Sequence, residues 1–129
     1  MNELKCKKII DSVYSKIKAH YGISKYQKEF PTIELHYNIY ARVTGFPEAE
    51  GDCDPDAEYD RHENNIVIYY PKAENKQWIL QTLIHEYTHY LQDGEEMQRM
   101  YDDEGYEYDT HPFELEAIAA EKDWKLFLK

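Results

Sequence analysis

The sequence contains few of the features that mark secreted or membrane proteins. Its only cysteines, Cys6 and Cys53, lie far apart, so it has neither a CxxC pair nor a disulfide framework, and we expect a reducing, cytoplasmic location. No run approaches the roughly 20 apolar residues of a transmembrane helix. The first ten residues, MNELKCKKII, lack the apolar stretch of a secretory signal. The sequence therefore predicts no membrane partner.

Positive charge is also scarce. The 129 residues include 15 Lys and Arg against 26 Asp and Glu, a formal net charge of −11. Surfaces that bind phosphate need clustered positive charge, so neither nucleic acid nor an anionic membrane is an expected partner. Tyrosine, by contrast, is abundant, with thirteen residues, and aromatic residues reach 15 %. That content disfavours a disordered chain, and the length suits one compact domain over residues 1–129.

Regular periodicity appears in four segments of the first half of the chain. Residues 3–20 have apolar positions at helical spacing, and Gly22 ends this predicted helix. Residues 33–39 alternate between apolar and polar, which predicts a half-buried strand. We expect a short strand at 57–60 and a strongly β-prone strand at 66–70.

The second half of the chain is predicted to be mainly helical. Residues 76–92 return to helical spacing, whereas the very acidic residues 93–109 predict a loop with a helical turn near 97–101. A final helix is expected from Pro112, which suits a first helical position, to about Leu128. The fold class is therefore α+β, with a small antiparallel or mixed sheet.

The most informative motif is HEYTH, an HExxH sequence inside the predicted helix 76–92. A spacing of four places His85 and His89 on one face of the helix, one turn apart, so both imidazoles can reach one tetrahedral Zn²⁺. Glu86 is rotated by about 100° from His85 and can act as the base toward water without ligating the metal.

A catalytic zinc site usually needs a third protein ligand. The pattern of the metzincins would place glycine and histidine where this chain has Gln92 and Glu95, so that class is excluded. The pattern Glu114-Leu-Glu-Ala117 favours Glu114, because the small Ala117 on the same helical face permits close approach to the HExxH helix. The sequence also leaves Glu121, Glu116, His111 and Glu95 open as candidates for this ligand.

The two motifs together, HEYTHYLQD and HPFELEAIAAE, resemble the minimal gluzincins, which include the ImmA/IrrE-like metallopeptidases of phages and mobile elements. The resemblance covers residues 66–125 and implies a zincin-like fold, Zn²⁺, Glu114 as third ligand and Glu86 as general base. It also implies that the strand 66–70 is the edge that holds the substrate, through Ile66, Val67, Ile68, Tyr69 and Tyr70. Ile118 departs from the pattern, since larger gluzincins have an Asp at this position that supports the first histidine.

Other residues near the motifs are candidates for supporting roles. Glu121 lies seven residues after Glu114 on the same helical stripe and is expected to hydrogen-bond a ligand imidazole. Tyr106, Tyr108 and His111 lie just before the ligand helix and are candidates to stabilise an oxyanion.

A second acidic pattern resembles a calcium loop. Its spacing follows positions 1, 3, 5, 9 and 12 of an EF-hand, but alanine replaces the turn glycine and a strand is predicted next, so a solvated acidic loop is the default expectation. The residues concerned are Asp52, Asp54, Asp56, Asp60 and Glu63.

The leading functional hypothesis is a cytoplasmic zinc peptidase that acts on a protein or peptide substrate. A second hypothesis is a zinc-stabilised domain that binds peptides without cleaving them. A third is a domain without a metal, in which the HExxH match is fortuitous.

Overall fold

The chain forms an α+β fold in the computed structural model, which describes residues 1–45 and 55–128. None of the helices in these ranges is both long enough and apolar enough to cross a bilayer. The helices are α1 (Glu3–Tyr21), α2 (Ile39–Thr44), α3 (Lys76–Leu91), α4 (Gly94–Glu104) and α5 (Pro112–Ala120), and the strands are β1 (Thr32–His36), β2 (Ala57–Asp60) and β3 (Asn65–Tyr69).

The three strands form one mixed sheet in the order β1-β3-β2. β1 runs parallel to β3, with Ile33 opposite Ile66, and β2 runs antiparallel to β3, with Ala57 opposite Ile68. This arrangement confirms the predicted α+β class and the short strand at 57–60. It is a small sheet that needs helices on its face to be stable.

The prediction that residues 66–70 form a free edge is wrong. β3 lies between the other two strands and is hydrogen-bonded on both sides, and its five residues are buried. Ile66, Val67, Ile68 and Tyr69 belong to it, whereas Tyr70 begins a 3₁₀ turn that ends at Lys72. A continuous apolar run is typical of a strand covered on both faces, which agrees with the burial of all five residues. Among the described strands, β1 and β2 are the edges.

The predicted strand 33–39 is too long. β1 ends at His36, and α2 begins after Asn38. The Asn38 side chain accepts a hydrogen bond of 2.7 Å from the Ala41 N–H, which makes it the N-cap of α2. The alternation of Tyr37 and Ile39 continued the strand pattern by chance, and the cap decided the local structure.

The acidic segment 93–109 is not a loop with a single turn, because α4 occupies eleven of its residues. Asp93 caps this helix by accepting hydrogen bonds of 3.0 and 3.2 Å from the N–H groups of Glu95 and Glu96. Acidic residues in a first turn are favoured by the helix dipole, and Arg99 pairs with Glu96 one turn later. The high density of acidic residues therefore led to the prediction of a loop where the chain forms a capped helix.

The final helix is shorter than predicted. α5 ends at Ala120, and the chain continues as a 3₁₀ segment, Glu121–Phe127. Phe127, near the end of this segment, is buried in the core, so the change of helix type still returns the chain to the interior.

The core lies between α1, α3 and one face of the sheet. α3 is buried on most of its length, and its apolar side chains meet those of α1 and β3. Burial of this apolar surface is the main stabilising term for the fold. It also fixes the rotation of α3, so that the HExxH residues face α5 and β2. The buried residues that form this core include Cys6, Ile10, Val13, Ile17, Ile66, Ile68, Leu80, Leu83, Ile84 and Tyr87.

Candidate metal centre

The two motif histidines and Glu114 meet between α3 and α5. His85 and His89 lie one turn apart on α3, with ring centroids 5.1 Å apart. Glu114 extends from the first turn of α5 and places one carboxylate oxygen against each ring: Oε1 is 2.9 Å from His85 Nε2, and Oε2 is 2.8 Å from His89 Nε2. Ala117, one turn further along α5, is completely buried where this helix packs against α3.

These three side chains fit a zinc ion. One ligand atom from each residue lies within 4.8 Å of the other two. Two imidazoles and one carboxylate form the ligand set typical of catalytic zinc, which leaves a fourth position open. Glu114 is only 4 % exposed and His89 is buried, so packing restricts the orientation of these two ligands. The geometry therefore supports the metal-ligand set that the sequence predicts.

Each ligand histidine also has a partner on its other nitrogen. Glu121 Oε2 lies 2.8 Å from His85 Nδ1, and Gln92 Oε1 lies 2.8 Å from His89 Nδ1. Because both partner atoms are acceptors, each Nδ1 carries the proton and donates it, and Nε2 is directed toward the candidate metal centre. Ile118, in contrast, is 48 % exposed. Glu121, and not residue 118, is therefore the side chain that bonds His85 on this side.

Gln92 is a site residue that the sequence reasoning did not identify, since it entered only as a mismatch to the metzincin pattern. It lies three residues after His89, a spacing that brings side chains together around a helix end. That spacing, combined with the need of a ligand imidazole for a second hydrogen-bond partner, was the available signal.

Charge coupling in the metal-free centre shifts the pKa values of its ligands. Burial alone would lower the pKa of His85, but hydrogen bonds to Glu114 and Glu121 and the charge of Glu86 raise it to about 9. Burial would raise the pKa of Glu114, but its hydrogen bonds to His85 and His89 lower it to about 2. The metal-free centre therefore holds an imidazolium ion between carboxylates.

Glu86 lies beside the ligands but outside the ligand set. Its Oε1 is 3.9 Å from His85 Nε2, and the residue is 7 % exposed. Burial raises its pKa to about 6, although the neighbouring His89 and His85 oppose the shift. A carboxyl group with a pKa near neutrality, open to a cavity, is suited to take up and release protons.

Two cavities meet at Glu86. They have volumes of about 370 and 360 Å³ and share Pro55, Ala57, Glu86 and Tyr108 as lining residues. The first extends past His85, and the second extends past His89. Together they form a groove that crosses the candidate metal centre, with the edge strand β2 as one wall.

The structure separates the three candidate oxyanion residues. Tyr108 is exposed as a residue but lines both cavities, and partial burial of its hydroxyl, together with the nearby carboxylates of Glu114 and Glu86, raises the pKa of this group. Tyr106 packs against the ring of His111, with centroids 5.6 Å apart, and lines neither cavity.

The prediction for His111 is wrong, both as a ligand and as an oxyanion donor. It is completely buried and caps α5, and its Nδ1 accepts a hydrogen bond from the Phe113 N–H. Its Nε2 lies 3.0 Å from the Met97 carbonyl oxygen and donates to it. With both nitrogens engaged in the joint between α4 and α5, His111 has a structural role.

Two more candidates for the third ligand, Glu95 and Glu116, lie outside the centre. Both residues are exposed, and Glu116 Oε1 accepts a hydrogen bond of 3.2 Å from Gln92 Nε2. Neither residue belongs to the group of atoms that could hold a metal among the described residues.

An arginine closes the end of α3 beneath the site. Arg61 donates hydrogen bonds of 3.0 and 2.9 Å to the carbonyl oxygens of His89 and Gln92. A cation at a helix C-terminus is favoured by the helix dipole. The arginine can approach this closely because the next helix begins with Gly94, where an added Cβ would lie 2.1 Å from Arg61 Cδ.

The acidic pattern at 52–63 does not form a calcium loop in its described part. Asp52 and Asp54 lie outside the described residues, and β2 occupies the middle of the twelve-residue window. Asp60 pairs with Arg42 at 2.8 Å and accepts a hydrogen bond from the Glu63 N–H. Its carboxylate is thus already bound within the fold.

Comparison with known proteins found no matching family model, no matching curated protein and no matching solved structure.

Proposed function

We propose that the chain is a single zincin-like domain over residues 1–129, with the function of a zinc-dependent peptidase. The observation that carries this proposal is the meeting of three ligand atoms, from His85, His89 and Glu114, beside the buried carboxyl of Glu86 in a groove. A structural zinc site normally has four protein ligands and no cavity at the metal. The open groove therefore favours catalysis.

The proposed chemistry is hydrolysis of an amide bond. When bound, zinc would polarise the scissile carbonyl and lower the pKa of water. Glu86, whose Oε1 lies 3.9 Å from His85 Nε2 and outside the ligand set, accepts a proton from the attacking water and delivers it to the leaving amine. The Tyr108 hydroxyl, at the junction of the two cavities, donates a hydrogen bond to the oxyanion that develops on the substrate.

The groove geometry indicates an extended peptide as substrate. β2 pairs with β3 on one side, and among the described strands nothing pairs with its other side. An extended peptide can add to such an edge through main-chain hydrogen bonds. The cavities on both sides of Glu86 would then receive side chains from both sides of the scissile bond. We therefore assign the substrate edge to β2 in place of residues 66–70.

The first test is metal content combined with cleavage. We expect about one zinc per chain in the wild type and in Glu86→Gln, and loss of most zinc in Glu114→Ala. Glu95→Ala is the matched control, since this exposed carboxylate lies outside the ligand group. Cleavage is followed by mass spectrometry on a mixed peptide library, and we expect it to disappear in Glu86→Gln.

The possible results separate the competing functions. Zinc without cleavage of any peptide by the wild type would favour a peptide-binding domain stabilised by the metal. Absence of zinc from the wild type after reconstitution would refute the metal centre. Cleavage that survives in Glu86→Gln would exclude Glu86 as the base.

A further inference from the structure

We infer that Gln92 is a positioning residue for the metal centre: it fixes the orientation of His89 and couples it to the helix that carries Glu114. The inference rests on the proposed metal-binding function. The Gln92 side chain contacts none of the three atoms that would bind the metal. It bonds His89 through Nδ1, the ring nitrogen that does not face the centre, and it bonds the carbonyl oxygen of Phe113, the residue before Glu114.

The orientation of the Gln92 amide is determined by its neighbours. Its Nε2 lies 2.9 Å from the carbonyl oxygen of Phe113 and 3.2 Å from the carboxylate of Glu116. Both of these atoms only accept hydrogen bonds, so the NH₂ end of the amide must face them. The Oε1 end then faces His89 Nδ1 at 2.8 Å and can only accept. His89 therefore holds its Nδ1 proton and presents Nε2 to the centre.

The same amide connects the two helices that supply the ligands. Gln92 follows the last residue of α3, and the Phe113 carbonyl precedes Glu114 on α5. Rotation of the His89 ring and displacement of the start of α5 would each break a hydrogen bond to the same planar group. Gln92 is buried, so water cannot readily replace the lost partners, and an unpaired buried polar group is costly.

The backbone at this position is held independently. Arg61 binds the carbonyl oxygens of His89 and Gln92 from the side of β2. A change of the Gln92 side chain therefore leaves the end of α3 anchored. This separation makes it feasible to remove the side-chain contacts of Gln92 while the fold persists.

The test measures zinc affinity by competition with a chromophoric chelator at fixed pH. Loss of a group that orients a ligand histidine typically lowers metal affinity by about 10–100-fold, and we expect this for Gln92→Leu. The matched control is Gln98→Leu, which removes an exposed amide on α4 that donates a hydrogen bond of 3.0 Å to Asp102, one turn further along that helix. We expect its zinc affinity to equal that of the wild type.

A pair of charge variants tests the coupling without loss of volume. In Gln92→Glu, position 92 still accepts from His89 but faces two acceptors, the Phe113 carbonyl and Glu116, so we expect zinc affinity to fall. Adding Glu116→Gln supplies a donor to the new carboxylate and should recover most of the affinity. The free energy of unfolding of both variants is measured in chelator beside the affinity, since a merely structural role would let zinc affinity change only in step with stability.

Nitrogen-15 NMR of the zinc-loaded protein follows the exchange of each histidine Nδ1–H proton separately. A local effect at His89 can therefore be distinguished from a change in global stability. We expect the Nδ1–H proton of His89 to be protected from exchange in the wild type and exposed in Gln92→Leu. The Nδ1–H of His85, which is bonded to Glu121, should stay protected in both and serves as the internal control.

The outcomes distinguish this inference from the proposed function. A wild type that binds no zinc would refute the metal centre itself. A wild type that binds zinc, with an unchanged affinity in Gln92→Leu, would refute only the role of Gln92. If Gln92→Leu fails to fold, the charge pair decides: a zinc affinity in Gln92→Glu that the added Glu116→Gln leaves unchanged would overturn the inference.

Discussion

Replacement of Gly94 by alanine should destabilise the protein by displacing Arg61. An ideal Cβ at position 94 would lie 2.1 Å from Arg61 Cδ and 2.4 Å from Arg61 Nε. Both distances are far below van der Waals contact, so the arginine must move away. Its hydrogen bonds to the carbonyl oxygens of His89 and Gln92, at 3.0 and 2.9 Å, would be lost.

The expected loss can be worked out from these contacts. Hydrogen bonds that involve a charged group contribute about 1.5–3 kcal/mol each when well buried. Arg61 is only partly buried, so about 1 kcal/mol for each bond is a suitable value after solvent screening. Alanine is favoured over glycine by about 0.5–1 kcal/mol in a helix interior, and this is an upper limit for Gly94 because it is the first residue of α4. We therefore expect a net decrease of about 1–2 kcal/mol in the free energy of unfolding.

Urea unfolding of four proteins tests this reasoning: the wild type, Gly94→Ala, Arg61→Ala and the double variant. The measurements are made in chelator, so that zinc does not add linked stability. The three atoms nearest to the added Cβ all belong to the Arg61 side chain. Without this side chain, Gly94→Ala should no longer destabilise the protein, and it should stabilise it by at most about 0.5–1 kcal/mol, the value for a helix interior. A loss of the same size in both backgrounds would refute the proposed clash.

Three further predictions concern titration and burial. Zinc binding at pH 7 should release close to one proton, because the pKa of His85 is raised to about 9 in the metal-free protein and the metal displaces that proton. Calorimetry in two buffers of different ionisation enthalpy measures the number of protons released. The zinc affinity should rise with pH up to about 9. Cys6 is completely buried, and burial raises its pKa to about 11, so in a Cys53→Ser background a thiol reagent should label it only at the rate of unfolding. Burial alone would raise the pKa of Asp60, but hydrogen bonds from the Glu63 N–H and Arg42 lower it below 3.8. The stability that ionised Asp60 contributes is therefore fully present above 3.8 and is lost as the pH falls through the lower pKa of the folded state. Asp60→Asn should cost about 0.5–1 kcal/mol of stability at pH 7, and the variant should lose less stability on acidification than the wild type.

Local spacing explains why the candidate metal ligands could be predicted from the sequence. The separation of His85 and His89 by four residues places both rings on one face of a helix, and α3 forms because its apolar positions repeat at helical spacing. Glu114 followed from a second local pattern, in which a small residue one turn later permits close helix packing. Both inferences need only the geometry of a helix.

Features that depend on long-range pairing were not predictable in this way. The central position of β3 in the sheet depends on which strands pair with it. The pattern of apolar residues within β3 does not predict these partners. His111 shows the same limit. A histidine before a helix is a plausible site residue from its position alone. Here, however, its Nε2 donates a hydrogen bond to a backbone carbonyl of α4, and its Nδ1 accepts one from a backbone N–H in the first turn of α5.

The acidic character of the centre links proton binding to metal binding. Glu86, Glu114 and Glu121 surround two imidazoles, and buried carboxylates are costly unless a positive partner is present. In the metal-free protein that partner is a proton, held on His85 and, at mildly acidic pH, on Glu86. A dication would supply two positive charges to the same cluster and displace the His85 proton. Protons and the metal thus compete for the same carboxylates and imidazoles. Acidification should therefore release zinc before it unfolds the hydrophobic core, which contains none of these groups.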